Sequence, residues 1–509
     1  MIHDAARLPL PLRVRTDLCV IGSGAGGMAA AMTAAEEGLH VTVLEAGGFV
    51  VPECMTQREE EMLPELLVAG GGQTTSDRRV HIHQGRALGG STVHNINLCK
   101  RIPHAILDEW RREHGLSHLP PQRWNTLYEE VEALLSVSVV DPSRYSRHNR
   151  ILAAGCDALR WSGGGLSHNR SGCADSGFCM LGCGHDAKNN ATKVLLPRLI
   201  RAGSQVLTHC RAVRVLHNGD RVSGVEAVVL HPRTRRPLGG VVIEAPRVCV
   251  SASATGTAAI LQRSRVPDPA DAVGNTLRIH PALVAAGEFD EPVRAWRGIP
   301  QTYECTEFLD FESDLRDRPG ARTWIVPAFA HPVGTATMLP GRGREHAEMM
   351  ARYDRLAVLT NMLHDRSAGT VRPAGDLGWT IDYIPNQADR DELLFGLAAC
   401  ARLLFAAGAR AVYIPTDPVT VLSPGGGMKA IERIDLAAGQ LDITAVHPMG
   451  SVPMGDDPRH AAVDSQGRHH HLEGLWVADG SLFPSSIGVP PQLSIYAMGL
   501  HVGAACART

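Results

Sequence analysis

The sequence predicts an α/β protein in which a Rossmann-like dinucleotide-binding domain is interleaved with a second domain. Three observations predict it. Residues 16–48, TDLCVIGSGAGGMAAAMTAAEEGLHVTVLEAGG, run strand, glycine turn, helix, strand and acid in that order. The 509 residues exceed what one simple core uses. A segment at the opposite end, 446–503, carries a histidine, His447, that makes chemical sense beside the reactive end of a dinucleotide.

Each element follows from its residues. The apolar run Leu18 to Ile21 is the first strand. It enters a turn with Gly22, Gly24 and Gly27 at G-x-G-x-x-G spacing. Gly22 permits the tight turn, Gly24 lets a pyrophosphate approach the backbone, and Gly27 lets helix and strand pack closely. An alanine-rich helix from about Gly27 to Glu37 aims its N-terminus at the phosphates, where free N–H groups and the helix dipole favour negative charge. A second strand, His40 to Leu44, ends at Glu45, placed to accept hydrogen bonds from a ribose. Farther on, 204–249 reads as strands around a turn near Thr234 to Pro237. The 340–440 region alternates helix, as in DELLFGLAACARLLFAAGA, with short strands such as Leu356 to Leu359.

Composition bounds the function. A hydrophobic fraction of 44% and a charged fraction of 20% describe a soluble globular protein. A net charge of −3 gives no reason to expect nucleic acid, and no apolar stretch is long enough to span a membrane. The N-terminal residues MIHDAARLPLPLRVRTD lack a signal-peptide core, so a cytoplasmic location is expected. The 12 cysteines are then expected to be reduced, with Cys19, Cys249 and Cys506 in apolar runs.

A second glycine pair, Gly89 and Gly90, is followed by Ser91 and Thr92 in QGRALGGSTVHNINLCKRIP at 84–103. Such a stretch lays backbone against a flat cofactor, or forms a surface loop. With it, the whole chain resembles the glucose–methanol–choline oxidoreductase family. The matching pieces are the N-terminal fingerprint, GRALGGSTVHN, VSASATGTAAIL at 250–261, HPMGSVPMG and VADGSLFPSSIGVPPQLSI. KRIPHAILDEW and GFCMLGCGHDAKNNATKVLLPRLIRAG are most similar to the long-chain alcohol oxidase branch.

The resemblance implies FAD, a cofactor domain from 1–103, 185–281 and 441–509, and a substrate domain from 104–184 and 282–440 built on an antiparallel sheet with helices. It implies cofactor contacts at Gly22, Gly24, Ala25, Gly27, Glu45, Ala46, Arg86, Gly89, Gly90, Ser91, His94, Asn95, Val213, Ala254, Asp479, Gly480, Pro491 and Gln492. The implied reaction takes an alcohol to a carbonyl: the hydroxyl proton leaves and a hydride moves to flavin N5. A neutral histidine suits the proton transfer, and His447 matches the family's catalytic histidine. The expected partners are a small hydrophobic alcohol and an acceptor, either oxygen or an electron carrier.

The chain departs from the family at its second catalytic position. Where the family has Asn or His, this chain has Pro490, in GVPPQLSI, with neither side-chain donor nor N–H. Gln492 is the nearest polar substitute. The departure keeps open a non-redox lyase of the same fold, with His447 as general acid and base; an inactive flavin-binding protein is the remaining alternative. His94 occupies the position where some members attach FAD covalently; non-covalent binding, with His94 in an apolar strand near the ring, is the favoured expectation. Cys173, Cys179 and Cys183 suggest an iron–sulfur or zinc site, and a structural turn or disulfide is favoured over it. His469, His470 and His471 read as a solvated turn, and His81 and His83 as one face of a strand.

Overall fold

Short apolar runs of β-branched residues buried on both faces build a parallel sheet. Leu18–Ile21 and Val41–Leu44 are such runs, and every residue in them is buried. They pair in parallel with each other and sit at the centre of a six-stranded sheet. Its order is Ile2–Asp4, Gln205–Thr208, Val41–Leu44, Leu18–Ile21, Arg247–Val250 and Leu475–Val477. All its pairings are parallel. The computed structural model describes residues 1–312, 318–328 and 330–508.

The first helix spans Ala25–Glu36, beginning two residues before the expected start, because Gly24 has extended backbone and serves as its N-cap. Small residues on this helix admit the C-terminal helix, Gln492–Arg508, at backbone distance. A Cβ added at Gly499 would lie 2.5 Å from Gly26 O, and one at Gly503 2.6 Å from Ala30 O. The C-terminal segment is thereby fixed against the glycine turn although almost the whole chain separates them.

A second, nine-stranded sheet has the path Thr420–Leu422, Ala411–Ile414, Ala282–Glu288, Leu356–Leu363, Thr323–Pro327, Tyr303–Cys305 and Gly163–Gly165, with antiparallel pairings throughout. Ile443–Ala445 joins it through Ala282 and pairs in parallel with Val80–Ile82. The helix Gln387–Ala406 covers this sheet. The expected strand at Leu356 runs four residues longer than read, to Leu363. A four-stranded sheet, Cys210–His217, Val222–Leu230, Pro237–Glu244 and Leu12–Arg15, completes the frame. Among the described residues no helix is long and apolar enough to cross a membrane.

Candidate active site

The glycine turn is shaped by backbone approach. Gly22 has φ +98°, and a Cβ there would meet Ser251 O at 2.2 Å. At Gly27 a Cβ would lie 2.2 Å from Gly22 O. Gly24 differs: a Cβ there would meet nothing within 4 Å. The open side of Gly24 lies at the start of Ala25–Glu36, whose N-cap supplies no side chain to its free N–H groups. The second glycine strip arrives at the same place, since a Cβ on Gly90 would be 2.8 Å from Gly24 Cα. This cradle fits a pyrophosphate.

Carboxylates flank it. Glu45 is buried and accepts from Ser23 Oγ at 2.5 Å and from Gly47 N–H, across Ala46, at 2.8 Å. Ser23 Oγ in turn accepts the Gly89 N–H at 3.0 Å. Burial raises the Glu45 carboxyl, and these hydrogen bonds and Arg86 pull it back. Arg86 is pushed down to about 10, first by burial and then by Arg235, and its Nε is buried with no partner among the described residues, as an absent anionic group would leave it. Asp479 accepts Thr257 Oγ1 at 2.6 Å and Ser481 N–H at 2.9 Å, across Gly480. Ala254 lies on the helix Ser253–Ser264 beside them and receives Ser451 Oγ at its carbonyl. Val213 falls at a register shift between Ala212 and Arg214, so the ladder skips it. Ser91 Oγ accepts Gly85 N–H at 2.9 Å and so ties the second glycine strip to itself.

His94 stands in a turn after the short helix Gly90–Thr92, not in a strand as expected, because the two positive-φ glycines Gly89 and Gly90 break any extended run. Its Nε2 is buried with no partner among the described residues, and burial, then Lys188, pushes it down to about 3. Lys188, which sequence reasoning passed over, is fully buried; its ammonium donates to Val93 O at 2.8 Å, Cys179 O at 2.9 Å and Asn95 O. Val93 O and Asn95 O fix the turn on both sides of His94, and Cys179 O ties it to the short helix Cys179–Leu181. Lys188→Met would leave them without a donor and is expected to cost about 3 kcal/mol or more. Chemical unfolding of the holoprotein checks this.

Gln492 begins the last helix, just after the buried Pro490 and Pro491. Its side chain is spent on structure: it accepts from Asn95 Nδ2 at 2.7 Å and donates to Leu98 O at 2.5 Å and Asn169 Oδ1 at 3.3 Å. Asn95 is thereby oriented, with its own Oδ1 taking the Asn97 N–H.

His447 follows Ile443–Ala445 of the large sheet and precedes Gly450, whose N–H bonds Gly480 O at the end of the parallel sheet. It therefore bridges the two sheets. Its Nδ1 lies 3.2 Å from Nδ1 of His280, ring edge to ring face. Its Nε2 has no partner among the described residues. Burial pushes it down to about 3, so it is neutral at ordinary pH. Both histidines precede a proline, His280–Pro281 and His447–Pro448, but so do His231 and His331, so the sequence alone does not single out His280.

Burial also holds His148 and His501 down, each to about 4. The folded values of these histidines, like those of His94 and His447, lie below the unfolded value of about 6.5. The unfolded chain binds more protons, so stability is lost as pH falls below about 6.5. The thermal midpoint is expected to drop from about pH 7 to about pH 5; a flat midpoint contradicts this.

Other expectations are corrected. Cys173, Cys179 and Cys183 are free thiols, so the disulfide alternative fails and the turn remains. Among the described residues no three metal-ligating side chains gather. His469 is buried, not solvated, because the strand end at Leu475 pairs with it and folds it inward. His81 lies 3.6 Å from Asp442 on the face of its strand.

Residues 63–282 and 365–499 match profiles described as GMC oxidoreductase, and residues 17–50 match an FAD binding domain. An uncharacterized GMC-type oxidoreductase of Mycobacterium tuberculosis is 34% identical over 98% of this chain and 78% of its own. A long-chain-alcohol oxidase of Arabidopsis thaliana, FAO3, is 27% identical over 100% of this chain and 69% of its own. The crystal structure of pyridoxine 4-oxidase from Mesorbium loti superposes with a TM-score of 0.69 at 18% identity, covering 96% of this chain and 98% of that one.

Proposed function

The chain belongs to the GMC oxidoreductase family of FAD-dependent enzymes, and from that premise we propose that it oxidises an alcohol to a carbonyl with His447 as the base. One observation carries the reading: His447 is neutral, held at Nδ1 by His280, and leaves Nε2 unpartnered among the described residues. The residues around the cradle fit FAD, through the open side of Gly24, the unpartnered Arg86 Nε and the buried Glu45. Gly22, Gly24, Gly27 and the first turn from Ala25 would hold the pyrophosphate, and Glu45 the ribose. Gly89, Gly90, Asn95, Asp479, Gly480 and Pro491 would line the rest. Bound there, FAD supplies the hydride acceptor. His447 Nε2 receives the hydroxyl proton, and Gln492 holds Asn95 in place.

We assign the cofactor domain to 1–103, 185–281 and 441–509. The substrate domain is 104–184 and 282–440. The parallel sheet draws every strand from the first set, and the nine-stranded sheet takes all but Val80–Ile82 and Ile443–Ala445 from the second, which supports this division. The likeness to a long-chain-alcohol oxidase favours a hydrophobic primary or secondary alcohol. Oxygen or an electron carrier is the acceptor. Non-covalent FAD is proposed, with His94 as the attachment point if acid-precipitated protein keeps its yellow colour. Pro490 favours one second reading, a lyase in which His447 is general acid and base. Turnover of a chain-length series of alcohols, with the carbonyl trapped as a hydrazone, tests the proposal. Carbonyl formation that rises with chain length is expected, and no carbonyl from any alcohol contradicts it.

A further inference from the structure

His280, which holds His447 at Nδ1, is itself held on several sides. It is 2% exposed and has φ +49°, a region non-glycine residues rarely enter. Asp365 pins its backbone, accepting the His280 N–H at 3.3 Å and the Ile279 N–H at 3.2 Å. Tyr383 fixes Asp365 in turn, with its hydroxyl 2.8 Å from the carboxylate.

The protons on this pair can be counted. The Gly488 N–H lies 3.0 Å from His280 Nε2. A backbone amide nitrogen can only donate, so His280 Nε2 is the nitrogen that carries no proton. Burial, with His447 and His364 nearby, keeps His280 neutral. Its single proton is therefore on Nδ1, aimed at His447 Nδ1. His447 Nδ1 accepts it, and neutral His447 carries its own proton on Nε2, the nitrogen with no partner among the described residues.

We infer that His280 is a positioning residue that sets the tautomer of His447, so that the resting site presents an N–H donor rather than a lone pair. The inference rests on the proposed function and deepens it. The resting form suits an oxygen that only accepts, such as that of a carbonyl or alkoxide. To act as base, His447 needs its proton on Nδ1 and its lone pair on Nε2. His280 must then accept at Nδ1 and carry its proton on Nε2, against the Gly488 N–H. Both forms of the pair hold two protons, but the second exchanges a hydrogen bond for two opposed donors. That penalty lowers the population of the base form by roughly tenfold or more. Pro490 carries neither a side-chain donor nor an N–H, so no group at 490 offsets it.

The test is the nitrogen-15 spectrum of histidine-labelled, oxidised holoprotein without alcohol, with the His447 signals assigned by their loss in His447→Gln. The expected result is a directly bonded proton on Nε2 and none on Nδ1. His280→Asn places a residue tolerant of positive φ, with a carbonyl able to accept from Nδ1, and is expected to shift His447 toward a proton on Nδ1. A wild-type His447 protonated on Nδ1 overturns the inference. A folded, FAD-loaded His280→Asn protein with an unchanged His447 tautomer overturns it as well. If that variant does not fold, the wild-type spectrum decides alone. No alcohol is present, so failure of the alcohol-oxidation reading in a turnover assay is a separate result.

Discussion

His447→Ala is expected to slow flavin reduction by alcohol about 10²- to 10⁴-fold while the protein keeps its FAD. The residue's ring touches His280 and no glycine of the cradle in the described hydrogen bonds, so its loss removes the proton acceptor and leaves the pyrophosphate cradle whole. It also leaves His280 Nδ1 without its partner in a buried place, which costs about 1–3 kcal/mol of stability. Rapid-mixing absorbance gives the reduction rate, and the flavin-to-protein absorbance ratio gives cofactor content. A variant that loses flavin in proportion to rate would place His447 in cofactor binding instead.

Two neighbouring glycines are expected to fail in different ways. In Gly26→Ala the new Cβ would lie 1.6 Å from Ala478 O, a backbone atom between the last strand of the parallel sheet and Asp479. The first helix must move off the sheet, and it carries the C-terminal helix with it at Gly499. A cost of about 3 kcal/mol or more is expected, with poor yield and little flavin. In Gly24→Ala the Cβ meets no atom of the described residues within 4 Å. The fold should keep its apo stability, and only retention of FAD should suffer, because the methyl fills the side that the pyrophosphate needs. Thermal unfolding of apo and holo forms separates the two. Equal damage to both apo proteins would contradict the placement of the cradle at Gly24.

This contrast also marks what the sequence could reveal. The fingerprint spacing pointed to Gly22, Gly24 and Gly27, and the first strand lies where its apolar run put it, at Leu18–Ile21. Gly26 carries a tighter contact than any of the three, but its neighbour Ala478 is 452 positions away by the numbering, and no local pattern announces it. The same holds for His280, 167 residues from His447. An isolated histidine before a proline has no meaning until the large sheet brings Ala282 beside Thr444. Lys188 lies in a polar run, AKNNATK, that reads as surface; only the fold shows three carbonyls converging on it. At His94 the expected strand gives way to a turn, because Gly89 and Gly90, both at positive φ, break any extended run. Gln492 was legible as a site residue, but its partners Asn95, Leu98 and Asn169 come from distant segments, and they turn it from the substrate side to a supporting one.

Hydride removal from an alcohol at a site ordered by His447 is visible in the flavin itself. Anaerobic titration of the yellow protein with a panel of primary and secondary alcohols, followed by absorbance and then by admission of air, tests it most directly. Bleaching of the flavin by at least one hydrophobic alcohol is expected, and bleaching about 10²- to 10⁴-fold slower in His447→Ala. Rapid recolouring in air would identify oxygen as acceptor, and slow recolouring a separate carrier. A flavin that dithionite reduces normally but that no alcohol bleaches would rule out alcohol oxidation and move the lyase reading ahead.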